Sequence, residues 1–147
     1  NSLSHKPNLL EILPSNSILT PHIKEFDRLT GKSESDFQRH EKQKAFSKKH
    51  GVIVILKGAH TCITTPDGTV YFNSTGNSGM AKGGCGDVLT GILLGLLAQG
   101  YSPVDSAQLG VFLHGMAGDI AKEHYTEYAM TAMDLVDCLG EAFREIV

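Results

Sequence analysis

One segment of the chain, Gly83-Gly84-Cys85-Gly86-Asp87, combines residue types that suit phosphate chemistry, and it leads directly into a predicted helix. The first amides of a helix lack intrahelical partners and carry partial positive charge, and glycines let an anion approach them closely. A carboxylate beside a bound phosphate is electrostatically unfavourable, so its presence at such a site indicates a chemical role. Asp87 is therefore a candidate general base for a hydroxyl that attacks the phosphate, while the glycine amides stabilise the transferred group.

The same segment also allows a purely structural interpretation. An Asp in the first turn of a helix is favourable because of the helix dipole alone, and glycine turns are common. Spacing by itself leaves the two interpretations evenly open. Two well-known phosphate motifs are excluded: no Gly-Lys-Ser/Thr follows, as a Walker loop requires, and the spacing is wrong for the dinucleotide fingerprint.

Two further segments place polar side chains just after predicted strands. One contains His22, and the other is Lys57-Gly58-Ala59-His60-Thr61. In open α/β sheets ligands bind beyond the carboxyl ends of strands, so Lys57 is a candidate phosphate or nucleotide contact. Taken alone, an exposed turn and an exposed first-turn histidine explain these segments more simply. His114 lies in an apolar helix, and we interpret it as a core histidine.

The elements that must position these residues alternate between strands and helices. Five apolar, mostly β-branched residues at Val52–Leu56 predict a strand buried on both faces, as in a parallel sheet. Ser17–Leu19 predicts a shorter strand, and Pro66-Asp67-Gly68 predicts a hairpin turn between residues 62–65 and 69–72 at the edge of the sheet. Together with buried helices, this pattern predicts the α/β class.

The helix signals are caps and apolar faces. We expect helices from Thr20 to Gly31, from Ser33 to about Lys49, from Asp87 to about Gln99, from Ser102 to about Glu123, and from Thr131 onwards. The second of these should bury Phe37, Ala45 and Phe46. The two that begin at Asp87 and Ser102 are apolar nearly all round, so we expect them to lie inside the fold.

Composition limits the class of protein. The 147 residues suit one domain, which we assign to residues 1–147, and 41% hydrophobic with 20% charged residues is typical of a globular chain. A net charge of −3 gives no reason to expect nucleic acid or a membrane as partner, and three scattered cysteines fit a reducing, cytoplasmic compartment. The chain begins at Asn1 without Met and with no secretory signal, so we expect residues upstream.

Four segments, in one order, resemble the nucleotide-dependent NAD(P)H-hydrate dehydratases, carbohydrate-kinase-like repair enzymes with the ribokinase-like fold. The segments are Leu19-Thr20-Pro21-His22-x-x-Glu25-Phe26, Leu56-Lys57-Gly58-Ala59-x-Thr61, Thr75-Gly76-Asn77-x-Gly79-Met80-Ala81-x-Gly83-Gly84-x-Gly86-Asp87-Val88-Leu89-Thr90-Gly91 and Leu113-His114-Gly115-x-Ala117-Gly118-Asp119. The resemblance covers nearly the whole chain. This family usually has Pro-Gly where Ile23-Lys24 stands, often Thr at the position of Lys82, and Ser or Thr at that of Cys85.

The resemblance implies a role for each candidate residue. Asp87 corresponds to the catalytic Asp, which also lies close to the hydrated substrate, and His22 to a His that contacts the hydrated nicotinamide. Gly84, Cys85 and Gly86 correspond to the anion hole. Gly86 and the segment formed by Lys57, Gly58, Ala59, His60 and Thr61 correspond to the nucleotide site. No residue is expected to be a metal ligand.

The resemblance also implies a reaction and an architecture. Such enzymes use ADP or ATP with Mg²⁺ to phosphorylate the hydroxyl of the S epimer of NADH or NADPH hydrate, and loss of phosphate restores NAD(P)H. The implied fold is a three-layer αβα sandwich. Because family members are nearly twice this long, the chain should be the C-terminal half of the domain, with the missing N-terminal half as its partner. We also expect a cytoplasmic homo-oligomer.

Two other functions stay open at the level of sequence. A small-molecule kinase of the same fold, of the hydroxyethylthiazole or pyridoxal type, would use Asp87 and the glycine amides to phosphorylate an alcohol and stop there. His22 and Asn77 favour the dehydratase over this kinase. A nucleotide-sensing or assembly module would bind nucleotide without turnover.

Overall fold

The computed structural model describes Leu3 and residues 7–146. The chain divides into two compact units, one ending at Phe72 and the other beginning at Asn73. Among the residues described, the first unit holds a four-stranded sheet with two α-helices, and the second holds three α-helices and a glycine-rich loop. The α/β class predicted from the sequence is therefore confirmed.

The sheet of the first unit is mixed. Its strands are β1 (Ile18–Leu19), β2 (Ile53–Leu56), β3 (Cys62–Thr64) and β4 (Val70–Phe72), in the spatial order β1-β2-β3-β4. Strand β2 runs parallel to β1, with Ile53 opposite Ile18, and antiparallel to β3. All four residues of β2 are buried, as the apolar run predicts. The predicted hairpin is also present at the edge, with Gly68 at φ 91° in its turn.

The α-helices that follow β1 and precede β2 both begin later than their predicted caps. Helix α1 spans Ile23–Thr30 and is capped by His22, not by Thr20. Helix α2 spans Asp36–His50, and its cap is Ser35, whose side chain accepts a hydrogen bond from the amide of Gln38. Ser33 is buried instead. In both cases a polar residue nearer the helix satisfies the first amides, and this removes the need for the predicted cap.

The buried face of α2 is more polar than its sequence suggests. Phe46 is buried as predicted, but Phe37 is 76% exposed and Ala45 is exposed too, so those two expectations are wrong. Gln43 lies on the buried face, where its amide donates to the carbonyls of Val54 (3.0 Å) and Cys62 (2.9 Å). A glutamine that hydrogen-bonds the sheet carries no apolar signal, so helical periodicity could not reveal this face.

The second unit is built from three helices. They are α3 (Cys85–Ala98), α4 (Pro103–Ala129) and α5 (Ala132–Arg144), with a short 3₁₀ turn at Ser78–Met80 in the preceding loop. Helix α3 begins two residues before the predicted start. Ser102 and Thr131 precede α4 and α5 as predicted, and each forms a capping pair with an aspartate three residues on.

Two expectations about these helices are wrong. Helix α4 continues to Ala129 rather than to Glu123, with a non-helical residue, Thr126, at φ 65° and ψ 157°. Helix α3 is not buried on all sides, because Leu94 is 66% and Leu97 37% exposed. Its other side joins a core made largely of small residues. This core consists of Cys85, Leu113, Ala117, Ala121, Met130, Leu135, Cys138 and Ala142.

In the part of the chain that the structure describes, none of the helices is both long enough and apolar enough to cross a bilayer.

Candidate functional site: a glycine-capped helix start and a strand-end histidine

The glycine-rich segment forms the start of α3. Gly84 caps the helix in a left-handed conformation (φ 93°, ψ −28°) with no side-chain cap, and its carbonyl accepts the amides of Asp87 and Val88, each at 3.0 Å. The amides of Cys85 and Gly86 therefore precede the first closed intrahelical bonds. A Cβ built on Gly83 would meet nothing within 4 Å. This arrangement provides a backbone cradle that an anion can approach.

Asp87 differs from the other aspartates at the same helical position. Each of the three helices in the second unit has Asp three residues after its cap. Asp105 accepts a hydrogen bond from the hydroxyl of Ser102 at 2.6 Å, and Asp134 accepts from the amide (2.6 Å) and hydroxyl (2.8 Å) of Thr131. Asp87 is exposed, and no described residue hydrogen-bonds to its side chain. Its carboxylate is therefore available to a ligand.

Two neighbours fix the position of this helix start. Cys85 is 4% exposed and belongs to the core, so it acts as a small buried side chain. His114 of α4 is half-buried and lies with its Nε2 atom 2.8 Å from the carbonyl of Cys85. His114 is therefore hydrogen-bonded as a structural histidine would be, but it is half-buried rather than part of the core, and its partner is the first turn of α3.

The loop before the helix is held at its other end by Asp119. Its carboxylate accepts the amide of Gly76 at 2.8 Å and the side-chain amide of Asn77 at 3.0 Å. Asn77 also donates to the carbonyl of Gly118 at 2.9 Å, and the hydroxyl of Thr75 donates to the carbonyl of Phe112 at 3.0 Å. The sequence places Asp119 in a recognisable segment but gives no sign of this contact, because 42 residues separate it from Asn77.

In the first unit, the structure brings His22 and Lys57 together. They form an isolated parallel bridge at the carboxyl ends of β1 and β2, and the amide of Lys57 donates to the carbonyl of Pro21 at 2.9 Å. The following turn, Gly58, Ala59 and His60, is exposed, and Thr61 donates from its hydroxyl to the carbonyl of Gly58 at 3.3 Å. Both predicted segments thus lie beyond the carboxyl ends of the parallel strands β1 and β2, where ligands bind in α/β proteins.

His22 is held by a reciprocal pair of hydrogen bonds with Glu25. Its Nδ1 accepts the amide of Glu25 at 3.2 Å, and the Glu25 carboxylate accepts the amide of His22 at 2.9 Å. The hydrogen bond from that amide, with the nearby charge of Lys57, lowers the pKa of Glu25. Since Nδ1 is an acceptor here, the neutral imidazole carries its proton on Nε2. Half of the His22 side chain is exposed, so a ligand can reach it.

The predicted site residues divide between the units. His22, Lys57, Gly58, Ala59, His60 and Thr61 lie in the first unit, and Gly84, Cys85, Gly86 and Asp87 lie in the second. Within the described residues, no three His, Cys, Asp or Glu side chains are grouped to hold a metal ion.

Next to the exposed turn, burial raises the pKa of the Cys62 thiol to about 11, so this thiol is a poor nucleophile.

Comparison with known proteins supports the sequence resemblance. A family model described as NAD(P)H-hydrate dehydratase matches residues 2–140. The chain belongs to this family. A bifunctional NAD(P)H-hydrate repair enzyme from Moorella thermoacetica is 46% identical over 131 residues, which are 88% of this chain and 25% of that protein.

Solved structures of the dehydratase family and its superfamily have the same fold. The ADP/ATP-dependent NAD(P)H-hydrate dehydratase of Bacillus subtilis, co-crystallised with ATP and Mg²⁺ and soaked with CoA, superposes with a TM-score of 0.85 at 34% identity. The superposition covers 92% of this chain and 52% of the Bacillus subtilis chain. A ribokinase-like superfamily protein from Enterococcus faecalis superposes with a TM-score of 0.77 at 28% identity, over 97% and 49% of the two chains. The ribokinase-like fold is thus confirmed.

The dehydratase relatives are longer than this chain. This chain spans about half the length of the two solved structures and a quarter of the length of the bifunctional enzyme. Sequence analysis assigned no role in the site to Asp119, His114 or Glu25. Their contacts hold the glycine loop, the start of α3 and His22.

Proposed function

We propose that the full-length protein is a nucleotide-dependent NAD(P)H-hydrate dehydratase that converts the S epimer of hydrated NADH or NADPH back to NAD(P)H. The observation that carries the proposal is Asp87. Its exposed carboxylate takes no part in capping α3, although the equivalent aspartates of α4 and α5 both cap their helices. Family membership supports the proposal, since the matching family is that of the dehydratase.

In this proposal Asp87 takes the proton of the hydrate hydroxyl as its oxygen attacks the terminal phosphorus of ADP or ATP. The bond from the hydrate oxygen to that phosphorus forms, and the bond from the phosphorus to the leaving AMP or ADP breaks. The negative charge that develops is stabilised by the amides of Cys85 and Gly86 behind the cap formed by Gly84. Loss of phosphate and of a proton from the neighbouring carbon then restores the double bond of NAD(P)H.

Mg²⁺ would neutralise phosphate charge in this reaction. The described residues offer no ready-made cage of metal-binding side chains. That fits an ion which keeps several waters and binds mainly through substrate phosphates, with one or two carboxylates at most. Asp87 is the carboxylate that the structure leaves exposed beside the anion cradle.

The first unit supplies the remaining contacts in the proposal. Lys57 and the turn Gly58, Ala59, His60 and Thr61 bind the nucleotide, and His22 donates from Nε2 to the hydrated nicotinamide. The support for these roles is the bridge between His22 and Lys57 at the sheet edge and the pairing of His22 Nδ1 with Glu25. We also propose a cytoplasmic homo-oligomer that binds no nucleic acid. The three free, buried cysteines suit a reducing compartment.

The test is recovery of NAD(P)H. We expect the full-length protein, given hydrated NADH or NADPH with Mg²⁺ and either ADP or ATP, to restore absorbance at the NADH band and release one phosphate per molecule recovered. No recovery with either nucleotide would reject the dehydratase. A stable phosphorylated alcohol from hydroxyethylthiazole or pyridoxal would instead indicate the kinase, and nucleotide binding without any turnover would indicate a sensing module.

A further inference from the structure

The side chain of Lys82 ends among backbone carbonyls of a distant segment. Its Nζ donates to the carbonyl oxygens of Glu127 (3.0 Å), Tyr128 (2.9 Å) and Met130 (2.7 Å). These carbonyls belong to the end of α4 and its cap, where α4 gives way to α5. The last carbonyls of a helix have no intrahelical donor, so one ammonium group satisfies three acceptors that the helix leaves unpaired.

The corner between α4 and α5 has an irregular backbone. Thr126 adopts φ 65°, which is costly for a β-branched residue, and the amide of Met130 returns to the carbonyl of Thr126 at 3.1 Å. This bend turns the following carbonyls towards one point. We call residues 126–130 the carbonyl corner.

Residues just before Lys82 lie on the same carbonyl corner. The hydroxyl of Ser78 donates to the Glu127 carboxylate. Gly79 packs so closely that a Cβ there would lie 2.4 Å from the sulfur of Met130 and 2.8 Å from the Glu127 carbonyl oxygen. Lys82 is thus the last attachment of the loop to this corner before the glycines of the anion cradle.

The glycines that follow cannot hold their own conformation. A Cβ added at Gly83 would meet no heavy atom within 4 Å, and Gly84 starts α3 with a positive φ of 93°. Glycine has the largest conformational freedom in the unfolded or loosened chain, so a loop of glycines needs an anchor at each end. The start of α3 is anchored at Cys85 by the core and His114, and Lys82 anchors the other end.

We propose that Lys82 is a positioning residue for the nucleotide site: its ammonium binds the carbonyl corner and thereby fixes the backbone of Gly83 and Gly84 ahead of the anion-binding amides. The charge is used within the protein, so Lys82 does not contact the phosphates. This inference rests on the proposed function for the identity of the ligand, but not for the contact itself.

The first experiment compares two lysines of the second unit in the full-length protein. Lys82→Met keeps the aliphatic stem and removes the charge. Lys122→Met is the matched control, because the one ion pair of Lys122 with a described residue is to the side chain of Glu127, at 3.9 Å. Loss of charge-assisted hydrogen bonds in Lys82→Met should raise the KM and Kd for ADP and ATP by about tenfold or more, with a much smaller change in kcat. Hydrogen exchange at the amides of residues 83–86 should accelerate, and Lys122→Met should resemble the wild type.

A second variant separates positioning from general destabilisation. Lys82→Ala leaves space beside the three carbonyls, and an ammonium ion can donate to the same oxygens. We expect NH₄Cl to restore slow exchange at residues 83–86 and most of the nucleotide affinity in Lys82→Ala. Tetramethylammonium chloride at equal concentration, which cannot donate hydrogen bonds, should restore neither, and Lys82→Met should not respond.

Two results would overturn the inference. One is unchanged exchange and nucleotide affinity in Lys82→Met. The other is a lower melting temperature in both Lys82 variants with no selective change at residues 83–86 and no response to ammonium. Failure of the wild-type protein to bind or turn over nucleotide would reject the proposed function instead, since the exchange and ammonium measurements on residues 83–86 would still decide the role of Lys82.

Discussion

At the scale of single residues, the contrast among three aspartates separates a helix-start role from a chemical one. Asp105 and Asp134 occupy the same position as Asp87 relative to their caps, and both are engaged in capping. Any general benefit from the helix dipole is shared by all three. Of these three aspartates, only Asp87 has a carboxylate that no described residue hydrogen-bonds, so the three positions can be compared directly by mutation.

We predict that Asp87→Asn lowers kcat of the full-length protein by about 10²–10⁴-fold, the usual contribution of a positioned acid–base group. Its free energy of unfolding should fall by no more than about 1 kcal/mol, since only a first-turn charge is lost. Asp134→Asn, the matched control, should lose about 1 kcal/mol from its capping pair and keep its turnover per folded molecule. The measurements are steady-state kinetics and urea denaturation.

Equal turnover in Asp87→Asn and the wild type would show that Asp87 only starts the helix. A second informative quantity is nucleotide affinity, which should hold or increase in Asp87→Asn because a negative charge beside the phosphates is removed. A large loss of affinity would indicate that Asp87 binds the nucleotide through Mg²⁺ rather than serving as a base.

The residue scale also shows what sequence could and could not predict. Gly84, Gly86 and Asp87 stand next to each other, so their joint position at a helix start follows from local rules. The contacts of Asp119 and Lys82 with their partners span more than 40 residues. No local pattern indicates such pairs, because a lysine in a glycine loop is equally compatible with a solvated surface charge.

At the scale of elements, the strands and the helix order follow from apolar patterns, and the ends of the helices do not. Strand β2 is predictable because five apolar residues in a row need burial on both faces. The buried face of α2 is not predictable, because Gln43 and Ser47 bind the sheet with polar groups that periodicity counts as exposed. Where a cap falls depends on which polar side chain reaches the first amides.

The approach of the loop to α4 depends on small residues. A Cβ built on Gly115 would lie 2.1 Å from the Thr75 hydroxyl oxygen and 2.7 Å from Thr75 backbone atoms. One on Gly118 would meet the side chain of Met80 at 2.3 Å. The backbone of Thr75 cannot yield without losing the loop's hydrogen bonds, whereas a methionine side chain can take another rotamer.

We therefore predict that glycine-to-alanine changes at different positions of these helices alter the free energy of unfolding in opposite directions. Gly115→Ala should lower the free energy of unfolding by about 1–3 kcal/mol through overpacking, and Gly118→Ala by less. Gly140→Ala in α5 is the control: nothing lies within 4 Å of the added methyl, so better helix propensity should raise stability by about 0.5–1 kcal/mol. Urea denaturation of the three variants would measure this, and a neutral Gly115→Ala would mean that the loop does not need its close approach to α4.

At the scale of the whole molecule, the two candidate groups of site residues lie in different compact units. His22 and Lys57 come together through strand pairing in the first, and Gly84 and Asp87 through the helix start in the second. The chain spans about half of its solved relatives. Each unit can be probed separately, because its key contacts are internal to it.

The dependence of stability on pH provides such a probe for the first unit. A carboxyl whose pKa is lower in the folded than in the unfolded state stabilises the fold above its unfolded pKa, about 4.3 for Glu, and this contribution disappears as the pH falls through the lowered folded value. Glu25 is such a group, because its carboxylate accepts the amide of His22 and lies near the charge of Lys57.

We predict that Glu25→Gln lowers the free energy of unfolding at neutral pH by up to about 1 kcal/mol, a modest figure because the carboxylate is partly solvated and its ion pair is screened. As the pH falls below about 4.3, the wild type loses the same contribution because Glu25 becomes protonated. The free energies of unfolding of the wild type and Glu25→Gln should therefore converge. Glu41→Gln, which removes an exposed pair with Lys44, is the control and should change stability by less than about 0.5 kcal/mol at any pH. Urea denaturation between pH 7 and pH 3 measures the difference, and a constant gap across that range would show that the side chain acts through packing or capping shape rather than through the charge that holds His22 at the sheet edge.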